Sequence, residues 1–220
     1  KLAKVEVGIV TGANEFFLVN KETVKQYQME DFAYPMFGKS QHCKGIIYNE
    51  KQHLDNIEKD LPVYFLYFDK PLNELPEKVQ EYIKKGEAEG LHERYKCKIR
   101  NPWFKVPSIF NTKLAILKRS HEAPRMIYNS YEAYTTDTAY RITANEGIIE
   151  DKLAYCFINP LTAIFAELEG RSYGGGVMEL VPSEIRKLII PFPDNIEYNI
   201  QELNNMILNC SMEECIEYQG

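Results

Sequence analysis

Four cations alternate with other residues in "RYKCKIR": Arg94, Lys96, Lys98 and Arg100 sit two apart. In a strand, all four would fall on one face at a repeat of about 6.8 Å, with Tyr95, Cys97 and Ile99 packing inward. Such a ladder could follow a phosphate backbone, each neutralised phosphate releasing counterions and making binding salt-dependent. The same spacing suits a solvated sheet edge protected by lysines, so it leaves both readings open. Trp103, Phe104 and Lys105 follow after Asn101 and Pro102. Aromatic rings beside cations favour recognition, although Trp103 is nearly as well suited to anchoring a core.

Two further stretches combine chemistry-bearing residues. "GRSYGGGVMEL" sets Gly174, Gly175 and Gly176 beside Arg171 and Tyr173. Consecutive glycines permit close backbone approach, so this is either a tight turn before a strand or a phosphate cradle clamped by Arg171. No Gly-Lys-Ser/Thr follows, which excludes a nucleotide phosphate loop. "YTTDTAYRI" gathers hydroxyls with Asp137 and Arg141. An arginine can pair with guanine and a carboxylate can accept from a cytosine amine, while β-propensity explains the Thr and Tyr equally well.

Asn101-Pro102-Trp103-Phe104 is one residue from the Asn-Pro-Pro-aromatic tetrapeptide with which amino-methyltransferases hold a flipped base. Trp103 replaces the second proline, and the cofactor-binding strand–turn–helix that such chemistry needs is not recognisable upstream. There, Val10-Thr11-Gly12-Ala13-Asn14 reads as a turn leading to another strand. Catalysis by this chain alone is not expected, and no catalytic or cofactor-binding residue is assigned. Five cysteines without a Cys-x-x-Cys pair and four scattered histidines argue against zinc and disulfides and fit a reducing cytoplasm.

The elements that must carry these residues are short. "VEVGIVTGANEFFLV" reads as two strands about a tight turn, with Asn20 capping a helix behind them. Residues 29–60 are polar and irregular, "PVYFLYF" is an aromatic strand, and Val79, Tyr82 and Ile83 show helical spacing from about residue 76. "YKCKIR", "KLAILKR", "RMIYNS" and "AYRIT" read as strands. Pro160 kinks or breaks the apolar helix that ends at Gly170. A strand follows the glycines, "PSEIRKLII" is a short helix entering a strand, and a helix closes the chain. The sum is an α+β fold: a mixed sheet of short, mostly antiparallel strands with packed helices and a C-terminal helix.

Charge is unevenly spread. The 220 residues carry a net −6, which argues against a general polyanion binder. From residue 94 to residue 125, however, nine Lys or Arg meet one acid, Glu122, so this stretch is +8 and the remainder −14. A basic segment inside an acidic protein is what local nucleic-acid contact needs. No run of about 18 apolar residues could span a membrane, and the start at Lys1 reads as the middle of a longer polypeptide.

Taken in order, "GIVTGANEFFLV", "ERYKCKIRNPWFKVPS", "TTDTAYRI" and "LTAIFAELEGRSYGGGVMELVPSEIRKLIIPFP" resemble the C-terminal region of adenine-specific DNA methyltransferases from type II restriction–modification systems. The resemblance is to the target-recognition domain of enzymes whose catalytic domain comes first, and it runs from about residue 8 to residue 193. Its most specific parts are Thr-Gly-Ala-Asn-x-Phe-Phe and Gly-Arg-x-Tyr-Gly-Gly-Gly-x-x-Glu-Leu. The family also carries a basic residue, Pro-Trp, an aromatic and Val-Pro where this chain has residues 101–107, which assigns the tetrapeptide to recognition.

The resemblance implies a fold similar to DNA methylase specificity domains, with a DNA target-recognition domain over residues 1–198. Residues 199–220 form a helical segment that aligns with nothing in the family and could pack on an absent domain. It implies double-stranded DNA and an N-terminal methyltransferase domain of the same polypeptide as partners, with S-adenosyl-L-methionine held by that domain and methyl transfer to adenine N6. The setting is a bacterial or archaeal cytoplasm, with no membrane. DNA contacts are expected from Arg94, Lys96, Lys98, Arg100, Trp103, Lys105, Asp137, Arg141, Arg171, Tyr173, Gly174 and Gly175. The four alternating cations and the glycine turn are expected to share one concavity. The competing readings are half of a type I restriction specificity subunit, a complete methyltransferase with divergent motifs, and a protein-interaction domain that does not bind DNA.

Overall fold

Three small sheets take up the strand-forming runs. The computed structural model describes residues 1–121 and 123–219; Glu122, the lone acid of the basic stretch, and Gly220 lie outside it. The first sheet has the order β1 (Ala3–Val7), β10 (Ala139–Ala144), β6 (Leu114–Leu117), β8 (Met126–Asn129), β4 (Ile47–Tyr48). Its neighbours are antiparallel except for the β4–β8 pair. The second runs β2 (Leu18–Val19), β5 (Tyr64–Leu66), β3 (Ala33–Phe37), β9 (Tyr134–Thr135), with only β3 and β9 parallel. The third consists of β11 (Arg171–Tyr173), β12 (Val177–Glu179) and β7 (Arg119–His121), antiparallel throughout. The mixed, mostly antiparallel α+β class read from the sequence is the one observed.

Helices cover the two larger of three hydrophobic cores among the described residues. Over the first sheet lie α6 (Glu150–Cys156), α7 (Pro160–Glu169), α8 (Pro182–Ile185), α9 (Ile200–Asn209) and α10 (Met212–Tyr218). Leu153, Phe157, Ala166, Leu203 and Met212 are buried there against Leu114, Ile116, Met126 and Ile142. Burying a leucine such as Leu203 contributes about 1.5–3 kcal/mol, and the Asn204 side chain also accepts from the amides of Ile46 and Ile47 at 2.8 and 3.1 Å. Pro160 does break the long apolar run: it occupies the first turn of α7, where its missing N–H costs nothing, and Asn159 caps that helix. The second core is aromatic. Phe16, Phe17, Phe65, Phe68, Tyr82, Trp103 and Phe104 meet there, among α1 (Asn14–Phe17), α2 (Lys21–Gln26), capped by Asn20 as expected, and α4 (Glu77–Ala88).

Several expectations are corrected. The chain does not form a hairpin about residues 11–14. Strand β1 pairs with β10 and β2 with β5, with α1 between them. The reason is that consecutive Phe16 and Phe17 are both buried, whereas a strand would send them to opposite faces. Residues 29–60 hold β3, β4 and the helix α3 (Glu50–Glu58). Its buried positions, His53 and Asn56, are polar and satisfied by Tyr48 and the His42 carbonyl, so apolar periodicity could not reveal it. Residues 94–100 form no strand, since Tyr95–Lys98 is one turn of helix, α5. The strand expected after α8 is absent at residues 187–190. The closing helix is two, divided at Ser211, which caps α10 in a reciprocal pair with Glu214.

Candidate nucleic-acid interface

The helical turn at α5 disperses the expected ladder. Cys97 alone of the intervening residues is buried, while Tyr95 and Ile99 are 74% and 66% exposed. Arg94 pairs with Glu15, and that hydrogen bond holds the Glu15 carboxyl below the usual carboxylate range. Arg100 turns to the backbone, donating to the Thr11 carbonyl at 2.6 Å and the Val10 carbonyl at 2.7 Å. Lys96 and Lys98 remain exposed. Lys96, Arg100 and Lys105 line a groove of about 620 Å³ with Arg141, Asn101 and residues 7–10, which Arg94 and Lys98 do not line. Arg141 is itself buried. It donates to the Ser108 and Phe110 carbonyls at 3.1 and 3.2 Å and lies 3.5 Å from the Phe110 ring centroid. Its Nη1 is committed to those two backbone carbonyls.

Trp103 is likewise a core residue. It is 9% exposed, donates from Nε1 to the Glu87 carboxylate at 3.0 Å, and packs on Phe16 at 5.0 Å between centroids. Phe104 is buried beside it. The Asn-Pro-Trp-Phe segment therefore feeds two rings into the aromatic core, and a DNA-facing Trp103 is corrected accordingly.

The loop of residues 8–14 lies between this groove and a second concavity. Gly12 has φ +82°, and a Cβ on it would stand 2.6 Å from Lys96 Cβ and 3.3 Å from Cys97 Sγ. Protein fills the space beside the glycine, and β1 lies antiparallel to β10. Beyond the glycine, the Asn14 amide donates to Asp137 at 3.2 Å. Asp137 lines a cleft of about 420 Å³ together with Lys39, Gln41, Lys118, Arg119 and Thr138.

Arg119 carries the cleft into the third sheet. There Arg119, Glu179 and Arg171 stand opposite one another across β7, β12 and β11, as do His121, Val177 and Tyr173. Met178, between these rows, is buried in the first core. Alternation therefore turns the arginines, His121 and Tyr173 outward. Glu179 accepts from Arg119 Nε at 2.7 Å and pairs with Lys118 at 3.5 Å, and the Arg119 bond in particular keeps its carboxyl below the usual range. Glu184 accepts from Arg171 Nε at 3.0 Å and from the Val181 amide at 2.7 Å. The glycine turn closes the hairpin with Gly175 and Gly176 at φ +82° and +73°.

The expected single surface is thus divided. The glycine turn does not line the groove of Lys96 and Arg100; Arg171, Tyr173, Gly174 and Gly175 stand on the hairpin, which joins the Asp137 cleft through Arg119. Sequence reasoning passed over Arg119. Its signal was Glu179, an acid on an apolar strand that requires a cationic neighbour. Among the described residues no group of His, Cys, Asp or Glu is placed to hold a metal, and no helix is long and apolar enough to cross a membrane.

The solved type IIG restriction endonuclease BpuSI shares this fold, with a TM-score of 0.54 at 14% identity over 98% of this chain and 25% of that one. In sequence, the chain is 24% identical over 191 residues to the type II methyltransferase M.AccI of Acinetobacter calcoaceticus, covering 84% of this chain and 35% of the relative. The class is that of C-terminal domains of type II restriction–modification methyltransferases. More narrowly, the chain belongs to the family described as the C-terminal domain of type II methyltransferase M.Eco57I, which matches residues 1–220. It spans about a third of the length of its curated relative.

Proposed function

We propose that this chain is the target-recognition domain of an adenine-specific DNA methyltransferase, gripping duplex DNA for a catalytic domain elsewhere in the same polypeptide. The observation that carries the reading is the outward face of the third sheet with its adjoining cleft. Lys39, Lys118, Arg119 and Arg171 supply donors there and Asp137 an acceptor, the pairing that base edges and phosphates require. The other domain holds S-adenosyl-L-methionine, which supplies the methyl group for adenine N6, in a bacterial or archaeal cytoplasm. This chain binds and orients the duplex.

Fluorescence anisotropy with a labelled duplex tests the reading. If those four cations each neutralise a phosphate or lie close to one, affinity falls roughly 100-fold between 50 and 200 mM salt. Absence of binding at 50 mM salt, or binding indifferent to salt, overturns it. Adenine specificity is checked by digesting DNA methylated by the complete enzyme: N6-methyladenine is expected, and N4-methylcytosine contradicts the assignment.

A further inference from the structure

We infer that Arg119 and Arg171 are a pair of guanine-reading side chains, an inference that rests on the DNA-recognition reading above. Both have the same construction. Each side chain is more than half exposed, at 66% and 57%, while the carboxylate that holds its Nε is 7% or 11% exposed. The anchoring carboxylates sit on fixed backbone, Glu179 in β12 and Glu184 in α8. Holding each guanidinium by Nε, on a side chain that is more than half exposed, leaves its two terminal nitrogens available as a parallel fork. That fork is the donor pair that meets guanine O6 and N7 in the major groove.

Satisfying the carboxylates does not by itself require these arginines: Glu179 also pairs with Lys118, and Glu184 accepts the Val181 amide. What the arginines gain is orientation. Arg119 and Arg171 flank Glu179 in register, so their backbones stand two strand spacings apart, about 9.6 Å. That is about three base-pair steps at 3.4 Å. The pair is matched to two guanines separated by about two to four steps, with Asp137 placed in the cleft beside Arg119.

The test binds the 220-residue chain to a pool of duplexes with a randomised ten-base-pair core and sequences the retained DNA. Wild type, Arg119→Lys and Arg171→Lys are compared, because lysine keeps the charge and removes the fork. Far-UV circular dichroism and a urea midpoint confirm that each variant is folded. Wild type is expected to enrich guanine at two positions. Each variant should lower enrichment at one of them by roughly 5- to 140-fold, leaving the other position intact and affinity for the unselected pool within about threefold. Three results overturn the inference while leaving DNA recognition standing: wild-type binding without guanine enrichment, enrichment unchanged in both variants, or an equal loss for every sequence. Failure of wild type to bind the pool at any salt removes the recognition reading and the inference with it.

Discussion

Replacing Arg100 with alanine should destabilise the domain, although the position looks from its neighbours like a phosphate contact. The guanidinium fastens the loop of residues 8–14 through the Val10 and Thr11 carbonyls. Hydrogen bonds to a charged group contribute about 1.5–3 kcal/mol each. The two share one side chain and are not additive, and its Nε is buried with no protein partner among the described residues, which subtracts from the total. A net loss of about 2–3 kcal/mol follows. With a urea dependence of about 3 kcal/mol per molar for a chain of this size, the unfolding midpoint falls by roughly 1 M. Lys96→Ala, at an exposed neighbour, should stay within about 0.5 kcal/mol of wild type. The assay is urea unfolding followed by circular dichroism, paired with DNA anisotropy at fixed salt. An Arg100→Ala protein with a wild-type midpoint and weakened DNA binding would refute the reasoning, because the guanidinium would then be facing phosphate.

Two more outcomes follow from buried groups. Trp103→Ala should cost about 3–5 kcal/mol in chemical unfolding, while Trp103→Phe keeps wild-type DNA affinity; weaker binding by the phenylalanine variant at unchanged stability would return Trp103 to the interface. Burial lowers His42 and His53 to about 4, with the Lys39 charge adding to the effect at His42. Below the unfolded value near 6.5 the unfolded chain binds protons that the folded chain refuses, so stability present at pH 7 is lost as pH falls toward 4. Urea unfolding at pH 7, 6 and 5 should register a loss of roughly 2–4 kcal/mol over that span; a flat profile contradicts it.

Strands β6, β8 and β10 of the first sheet were legible because Leu114, Ile116, Ile127 and Ile142 announce buried β-structure locally, whereas β4 lay hidden in the polar stretch of residues 29–60. The two-helix break at Pro160 and the cap at Asn20 were legible for the same reason: their determinants lie within four residues. Residues 94–100 misled because charge alternation has the period of a strand, whereas the fold is decided by remote partners. Glu15 takes Arg94, and the carbonyls of residues 10 and 11 take Arg100. Helix α3 was hidden because its buried face is built from His53 and Asn56, whose hydrogen bonds replace apolar contact. Arg171 and Glu179 face each other within one local hairpin, but bringing Arg119 opposite Glu179 depends on strand register across 60 residues, which no local pattern encodes.

The glycine turn also offers an optical handle. A Cβ at Gly174 would meet nothing within 4 Å and needs no left-handed backbone, unlike its two successors. Of the native thiols only Cys210 is exposed; Cys43, Cys97, Cys156 and Cys215 are buried. A chain carrying Gly174→Cys and Cys210→Ser therefore accepts a single dye at the hairpin tip, where its emission can report what approaches that end of the molecule.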